Sequence, residues 1–441
     1  MTPSASSSFY RSFGRLAIVN VLSNLLVPLA GLVDVAFLGH LDAIHYLAGV
    51  ALATVLFNYI YWTFGFLRMG TTGTTAQALG RGDRTEVWLT GLRNGLLALG
   101  LGLLILVLHA PLRDLGFALL SATPDVKASG IAYFDALIWG APATLINFVL
   151  MGWFLGQAQS NKVLVLSAVS NLTHVVLNYL LIVQWGWASA GAGWATALSQ
   201  YLMLVVGLGL IGREVNWQHI RAMTPQIFNP VALKAAFSLN TDILIRTFAM
   251  VTTFSMFTNL SSAFGTSILT INTLLLQIVT LAAYFIDGLA FATESFAGIF
   301  RGRGAHDQLL ALVRLSGSVS LGLGFLFAIA PIVMPLPIFR LLTSHTDILN
   351  QVGNYVGWLL PILGFGSIAY MLDGYFLGLT EGRILKTSTL IAAGIGFAPL
   401  AAITWWLHSV QLLWFALTTF MAARAITLAL QVPKTLKPFN S

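Results

Sequence analysis

Asp34 is an acidic residue in the middle of an apolar run, AGLVDVAFLGHL. An aspartate carboxylate costs about 2.5–3.5 kcal/mol near the centre of a membrane-spanning helix, so its presence there indicates a function. Pro28 and Gly31 precede it and predict a helix that can bend, because proline leaves a backbone carbonyl without its donor. Protonation of such an acid would remove its charge and let the helix repack. The alternative is an aspartate that only caps a helix end or pairs with an arginine.

A second polar group lies in the segment NLTHVVLN. Spacings of three, four and seven residues place Asn171, His174 and Asn178 on one face of a helix. Buried amides need hydrogen-bond partners, and a carboxylate in the same half of the chain is a suitable one. Asn147 and Thr196, in neighbouring apolar segments, could join this network. The same polar face could instead only hold helices together.

The second half of the chain carries its own charges in apolar surroundings. Asp242 and Arg246 lie four residues apart and are predicted to pair along one helix. Asp287 and Glu294 lie seven residues apart on one helical face, and Asp373 is expected close enough to a helix end for solvent to stabilise it. These charges could form a structural ion-pair network or part of a cation site. For Arg246 the structural role is favoured.

The chain lacks the motifs of common enzymes and metal sites. Walker A, HExxH and GxSxG sequences are all absent, which argues against a nucleotide-driven pump. The eight histidines show no ligand spacing and there is no cysteine, which argues against zinc. We therefore expect no enzyme activity, no cofactor and no metal, and an ion gradient as the energy source.

Helices that cross a membrane must position these residues. Of 441 residues 57% are hydrophobic and 8% charged, whereas a soluble domain carries about 25% charged residues. About 20 apolar residues span a bilayer, and no segment shows the alternation of a membrane β-strand. We therefore predict an all-α integral membrane protein with twelve transmembrane helices. They lie at 15–39, 47–72, 88–110, 129–154, 163–184, 188–212, 238–260, 267–293, 310–334, 349–378, 387–407 and 410–431.

The basic residues predict the orientation of these helices. Most of them fall on one side of the twelve-helix arrangement. They include Arg81, Arg213, Arg303, Arg424 and Lys437, whereas Arg113, Lys127 and Arg340 fall on the other side. The side rich in Lys and Arg is normally cytoplasmic, so both termini are expected in the cytoplasm. The net charge of +7 is thereby explained by topology, and nucleic-acid binding is not expected.

Two short stretches occur twice, 222 residues apart. WFLGQ at 153–157 matches YFLGL at 375–379, and the GRG at 80–82 matches the GRG at 302–304. This predicts an internal duplication of six helices, with both copies in the same orientation and a pseudo-two-fold axis along the membrane normal. The predicted domains are an N-lobe over 1–212, a cytoplasmic linker over 213–236 and a C-lobe over 237–441.

The sequence resembles the multidrug and toxic compound extrusion (MATE) family and, within it, the DinF-like branch. The resemblance covers nearly the whole chain. It is carried by LVDVAFLGHLD (32–42), FLRMGTTGTTAQALGRGD (66–83), LMGWFLGQAQ (150–159), NLTHVVLNYLLI (171–182), NTD (240–242), YFIDGLAFATES (284–295) and LDGYFLGLTEGR (372–383). It implies a V-shaped pair of six-helix lobes that exports hydrophobic, often cationic compounds in exchange for protons or sodium ions.

The resemblance also implies roles for single residues. Asp34 matches the first-helix aspartate to which cation coupling is assigned in prokaryotic members, and the polar network of the family maps onto Asn147, His174, Asn178 and Thr196. Relatives commonly have Asn and Asp where this chain has His174 and Asn178. A sodium ion prefers several oxygen ligands, including charged ones. One carboxylate with a nearby imidazole therefore favours protons over sodium ions.

The prediction is thus a monomeric efflux transporter of the inner membrane for hydrophobic or cationic small molecules, in which protonation of Asp34 bends the first helix at Pro28. A sodium-coupled antiporter of the same family is one alternative. A flippase for lipid-linked precursors, from the same superfamily, would need several interior Arg and Lys to hold pyrophosphate. Only Arg68 and Arg246 are candidates for that. A membrane scaffold would not need buried acids.

Overall fold

The computed structural model describes residues 3–343 and 345–436, and all regular elements within these ranges are helical. Lys437, one of the basic residues predicted on the cytoplasmic side, lies outside the described residues. The helices are α1 Pro3–Gly39, α2 His45–Phe64, α3 Phe66–Gly80, α4 Arg84–Val107, α5 His109–Ala118, α6 Pro124–Leu137, α7 Ala141–Gly156, α8 Ser160–Asn178, α9 Ala188–Gly212, α10 Trp217–Ile227, α11 Pro230–Ala263, α12 Thr266–Gly302, α13 His306–Val333, α14 Pro335–Arg340, α15 Thr346–Val352, α16 Leu359–Gly378, α17 Gly382–Ile391, α18 Ala398–Leu407, α19 Val410–Ala429 and α20 Val432–Thr435.

Twelve segments of the described chain are long and apolar enough to cross a membrane. Four of them are interrupted or extended: α2 continues into α3, α6 into α7, α17 into α18, and α19 into α20. The others are α1, α4, α8, α9, α11, α12, α13 and α16 with their immediate extensions. Helices satisfy all backbone hydrogen bonds internally, which hydrocarbon requires. The predicted all-α class with twelve spans is confirmed.

Short π-helical segments interrupt one helix in each half of the chain. Residues Tyr179–Gln184 follow directly on α8, and Ala392–Phe397 join α17 to α18. A π-helical turn widens the helix locally and often lies beside a functional site. In the first half this turn begins immediately after Asn178, one of the residues predicted to contact the acid on α1.

Left-handed backbone turns repeat at the 222-residue spacing seen in the sequence. Gly82 and Gly304 have φ of 75° and 68°, Ala158 and Thr380 both have φ of 58°, and Gly186 and His408 have φ of 69° and 51°. A positive φ is uncommon for residues other than glycine. Helix starts repeat at the same spacing, for example Ser160 with Gly382 and Ala188 with Val410. The predicted duplication is therefore present in the backbone.

The helices pack into two compact units. Unit 2 comprises Leu22–Phe237, and unit 1 comprises the described residues up to Val21 together with those from Ser238 onward. The first turns of α1 pack within unit 1, where Phe9 and Phe13 contact the ring of Phe296 at centroid distances of 5.7 and 6.0 Å. The lobe limits predicted from the sequence, 1–212 and 237–441, stay a prediction.

The glycines of the repeated motif allow helices to approach closely within each unit. A Cβ at Gly156 of α7 would lie 2.6 Å from the carbonyl oxygen of Thr72 and 2.7 Å from Cβ of Thr75, both on α3. Gly378 of α16 makes the equivalent approach to the Glu294 carbonyl of α12. The motif is thus repeated because each unit needs a residue without a side chain at this crossing.

Gly156→Ala is expected to lower the melting temperature of the purified protein, because the added methyl group would overlap backbone atoms of α3. Overpacking of this kind costs about 1–3 kcal/mol, more than the gain of about 0.5–1 kcal/mol that alanine brings to a helix. Thermal unfolding in detergent, followed by tryptophan fluorescence, measures the change. Gly95→Ala on α4 is the matched control, since a Cβ there meets nothing within 4 Å. Equal melting temperatures for the two variants would contradict the close approach.

Candidate functional site

Asp34 lies near the end of α1, and α8 supplies its polar partners. The amide nitrogen Nδ2 of Asn178 donates to Asp34 Oδ1 at 2.7 Å. His174 Nε2 lies 3.1 Å from the same oxygen. The side chains are largely enclosed, with 14% of Asp34 and 4% of His174 exposed. The structure therefore brings together the acid and two of the polar residues that helical spacing placed on one face.

Two further helices of unit 2 complete the surroundings of Asp34. Thr196 Oγ1 on α9 lies 3.1 Å from His174 Nε2, and Asn178 Nδ2 lies 3.2 Å from the same nitrogen. Tyr133 of α6 is buried beside Thr196 and lies within electrostatic range of Asp34. Tyr133 was not among the residues predicted from the sequence. The sequence feature that could have identified it is a tyrosine within an apolar segment. A buried tyrosine usually has a hydrogen-bond partner for its hydroxyl, so it indicates a polar neighbour.

This arrangement connects the charge of Asp34 to the contact between α1 and α8. Asp34 supplies a carboxylate, and its partners are the amide of Asn178 and the imidazole of His174. Among the described residues no group of three or more His, Cys, Asp and Glu side chains could hold a metal ion. Hydrogen bonds to a charged acceptor are roughly twice as strong as neutral ones. A change in the charge of Asp34 would therefore alter how firmly α1 is held against α8.

Asn147 and Asn171 have hydrogen-bond partners other than Asp34 and His174. Asn171 Nδ2 donates to the Ser167 carbonyl at 2.8 Å, and Asn147 Nδ2 donates to the backbone and side-chain oxygens of Gln200 at 2.9 and 3.0 Å. Asn171 lies nearly one turn before His174 on α8, so its side chain is displaced along the helix axis from Asp34. Their predicted part in cation coupling stays a prediction.

Pro28 and Gly31 both lie inside α1, which is continuous from Pro3 to Gly39. Proline cannot donate the backbone hydrogen bond of the preceding turn. A Cβ at Gly31 would meet nothing within 4 Å, so this part of the helix has free space beside it. The bend at Pro28 stays a prediction.

Unit 1 contains a buried charge cluster whose pairing was predicted wrongly from the sequence. Arg246 of α11 and Arg424 of α19 both donate through Nη2 to Oδ2 of Asp373 on α16, and Asp242 pairs instead with Lys386 of α17. The predicted pairing of Asp242 with Arg246 is therefore wrong, as is solvent stabilisation of Asp373. Asp373 is 4% exposed and Arg424 0%. Buried charges require partners from neighbouring helices, and a weak pair along one helix cannot compete.

The remaining acids of unit 1 lie on α12. Glu294 is fully buried, and Asp287 is half-buried within electrostatic range of Tyr284 and Tyr370. Both take part in interactions within the described chain. Their part in coupling stays a prediction. The position 222 residues after Asp34 holds Met256, so the duplication did not preserve the acid of α1.

Comparisons with known proteins cover nearly the whole chain. A family model described as MatE matches residues 20–180 and 243–407. DNA damage-inducible protein F of Escherichia coli is 34% identical over 425 residues, which are 95% of this chain and 91% of that protein. Multidrug resistance protein MdtK of Edwardsiella ictaluri is 24% identical over 388 residues, 87% of this chain and 84% of that one. One similar solved structure is described as the outward-facing conformation of a multidrug resistance MATE family transporter. It superposes with a TM-score of 0.86 at 19% identity and covers 97% of this chain and 96% of that chain. The two proteins therefore share a fold.

Asp373→Asn is expected to destabilise unit 1 strongly, because two buried guanidinium groups would lose their counter-charge. Removal of one partner from a buried ion pair costs about 3–5 kcal/mol. Asp242→Asn is the control. Its partner Lys386 has a side chain that is 28% exposed, so solvent can stabilise the ammonium group and the cost should be about 1 kcal/mol or less. Melting temperatures in detergent measure both effects, and equal losses would contradict the assignment of the buried cluster.

Proposed function

Since the chain belongs to the MatE family of membrane transporters, we propose that it exports hydrophobic and cationic small molecules in exchange for protons. The observation that carries the proposal is the contact of Asp34 Oδ1 with Asn178 Nδ2 and His174 Nε2, at 2.7 and 3.1 Å. Relatives with the name multidrug resistance protein support the substrate class.

The coupling step is a change in the charge of Asp34. A proton that reaches the carboxylate from outside neutralises it and weakens its charge-assisted hydrogen bonds to Asn178 and His174. The end of α1 can then move about Pro28, where the helix lacks one backbone hydrogen bond. Substrate and proton act on the same two-state element, so binding of one disfavours the other. Release of the proton to the cytoplasm restores the carboxylate and its contacts.

Protons suit this site better than sodium ions. A hard cation takes several oxygen ligands, whereas the two atoms that hold the Asp34 carboxylate, on Asn178 and His174, are nitrogens. Thr196 Oγ1 contacts His174 and donates to the Ala192 carbonyl at 3.0 Å. The site therefore offers one carboxylate with an imidazole directly beside it, a combination that supports proton exchange.

The unit 1 cluster argues against a flippase for lipid-linked pyrophosphates. Such a protein needs cationic side chains that are available to phosphate groups. Arg246 and Arg424 are 4% and 0% exposed, and both donate to Asp373. These two guanidinium groups are therefore committed to a carboxylate of the same unit.

The distribution of basic residues supports an inner-membrane protein with both termini in the cytoplasm. Arg81 and Arg303 follow α3 and α12 at equivalent ends of the two repeats, and the positive-inside rule places this side in the cytoplasm. We further propose that the transporter acts as a monomer with no nucleic-acid partner, because one chain already contains both copies of the duplication.

Asp34→Asn is expected to abolish proton-driven transport while leaving folding and membrane insertion intact. Asparagine has nearly the same shape but cannot take up a proton. The measurement is ethidium transport in vesicles after a pH jump, compared with a sodium jump of equal size. Wild-type vesicles should respond to the pH jump only. Full transport by the variant would overturn the role of Asp34, and a response to sodium alone would establish the sodium-coupled alternative.

His174→Asn is expected to slow transport without abolishing it, because His174 adjusts the surroundings of Asp34 and does not carry the proton. Loss of one hydrogen bond to a charged group costs about 1.5–3 kcal/mol, so a reduction of about ten- to a hundredfold is expected. The same vesicle assay measures the rate over a range of pH. Complete loss of activity, equal to that of Asp34→Asn, would show that the imidazole is itself an obligatory carrier.

A further inference from the structure

The facing sides of α7, α8 and α9 change from polar to apolar along their length. On α9, the polar residues Thr196 and Gln200 are followed on the same face by two apolar ones. Met203 lies one turn after Gln200, and Gly207 lies two turns after it. These three helices pack against one another within unit 2. The polar part is continuous with the surroundings of Asp34, because Thr196 contacts His174.

A second polar layer lies one helical turn from the His174–Thr196 contact. Asn147 Nδ2 on α7 donates to Gln200 Oε1 at 3.0 Å, and Gln200 Nε2 donates to Ser170 Oγ on α8 at 3.3 Å. Asn147 and Ser170 are 2% and 8% exposed. We call the two layers together the polar column; it consists of Asn147, Ser170, His174, Thr196 and Gln200, with Asn171 one turn before His174 on the same face of α8.

Two oxygen atoms in this column are buried without a hydrogen-bond partner in the protein. They are Oδ1 of Asn147 and Oδ1 of Asn171. Buried polar atoms are almost always hydrogen-bonded, and bound water is the usual partner where the protein offers none. Amide and hydroxyl groups do not titrate near neutral pH, but they orient water molecules that can pass a proton along. The column has the chemistry of a water-lined path.

An apolar layer closes the column at the end away from Asp34. Leu150 of α7 and Leu166 of α8 meet at Gly207 of α9, where a Cβ would lie 2.8 Å from Leu150 Cδ1 and 3.6 Å from Leu166 Cδ2. Leu166 is 0% exposed and Met203 4%. Beyond this layer, Lys162 Nζ and Glu214 Oε1 form a partly exposed ion pair at 2.5 Å, next to the helix ends that we assign to the cytoplasm.

The other half of the duplication lacks three of these polar groups, although it keeps a threonine, Thr418, at the position equivalent to Thr196. The positions 222 residues after Asn147, Ser170 and Gln200 hold alanines, namely Ala369, Ala392 and Ala422. The repeated fold therefore does not need amides or hydroxyls at these positions. Their presence only in the unit that contains Asp34 connects the column with the acid.

We propose that the polar column is the path by which the proton leaves Asp34 for the cytoplasm, with Leu150 and Leu166 as its closure. This inference rests on the proton exchange proposed above. The O–H bond of the protonated Asp34 breaks, the proton passes to water in the column, and Asp34 is left as a carboxylate that Asn178 and His174 stabilise. When the apolar layer parts, the proton reaches bulk water on the cytoplasmic side.

The closure is tested with Leu166→Ser, and with Leu150→Ser as a second variant in case the first does not fold. In proteoliposomes with a trapped pH dye and no substrate, either variant should raise the proton leak about tenfold, which corresponds to a barrier lower by about 1.4 kcal/mol. Leu172→Ser on the same helix is the control, because this side chain is 68% exposed and lies away from the column. It should leave the leak unchanged.

The path is tested with Gln200→Leu against Gln200→Asn. Leucine should reduce proton-driven ethidium transport at least tenfold, whereas asparagine, which keeps an amide in the column, should restore most of it. Exchange of labelled for unlabelled ethidium across the membrane needs no net proton release, so it should survive in both variants. A merely structural defect in Gln200→Leu would lower exchange and proton-driven transport together.

The outcomes separate this inference from the proposed function. If wild-type proteoliposomes move no protons when substrate is added, proton exchange itself is overturned. If the wild type moves protons but the leak of the Leu166 and Leu150 variants equals that of Leu172→Ser, and Gln200→Leu transports normally, the column is overturned while the function stands.

Discussion

The contact between Asp34 and α8 is the interaction on which the rest of the structure depends. A carboxylate in an apolar helix is tolerated only where neighbouring helices supply donors, and Asn178 and His174 supply them at 2.7 and 3.1 Å. This requirement fixes the rotation of α8 about its own axis. The same helix presents Ser170 to Gln200 of α9, where the polar layer of Asn147 and Gln200 continues the hydrogen-bond network.

The two units stabilise a buried carboxylate in different ways. In unit 1, Asp373 lies between two guanidinium groups, which carry permanent positive charge and hold their carboxylate in place. In unit 2, Asp34 has an amide and an imidazole, whose hydrogen bonds adjust to a change in the charge of the acid. A duplicated scaffold thus carries one fixed cluster and one that can respond to a change in charge, and this asymmetry supports the proposed exchange of a single proton.

Long apolar runs made the helices predictable, whereas contacts between distant side chains were not. All twelve spans and the 222-residue duplication followed from hydropathy and repeated motifs. The pairing of Asp242 with Arg246 failed, because spacing along one helix says nothing about Asp373 and Lys386 on other helices. Arg424 was counted with the basic residues of the cytoplasmic side, yet it lies buried in α19 and contacts Asp373. Tyr133 was missed because a single phenol in an apolar segment has no periodic pattern.

By itself the sequence determined the membrane class, the number of spans, the duplication and the identity of the acid on α1. These properties depend on local composition and on the high cost of a charge in hydrocarbon, both of which can be read without coordinates. Tertiary structure alone decided which donors Asp34 receives, which arginines surround Asp373, and that Asn147 pairs with Gln200. Each of these contacts joins residues that are far apart in the chain, and only the packing of helices side by side selects among the many partners that composition would allow.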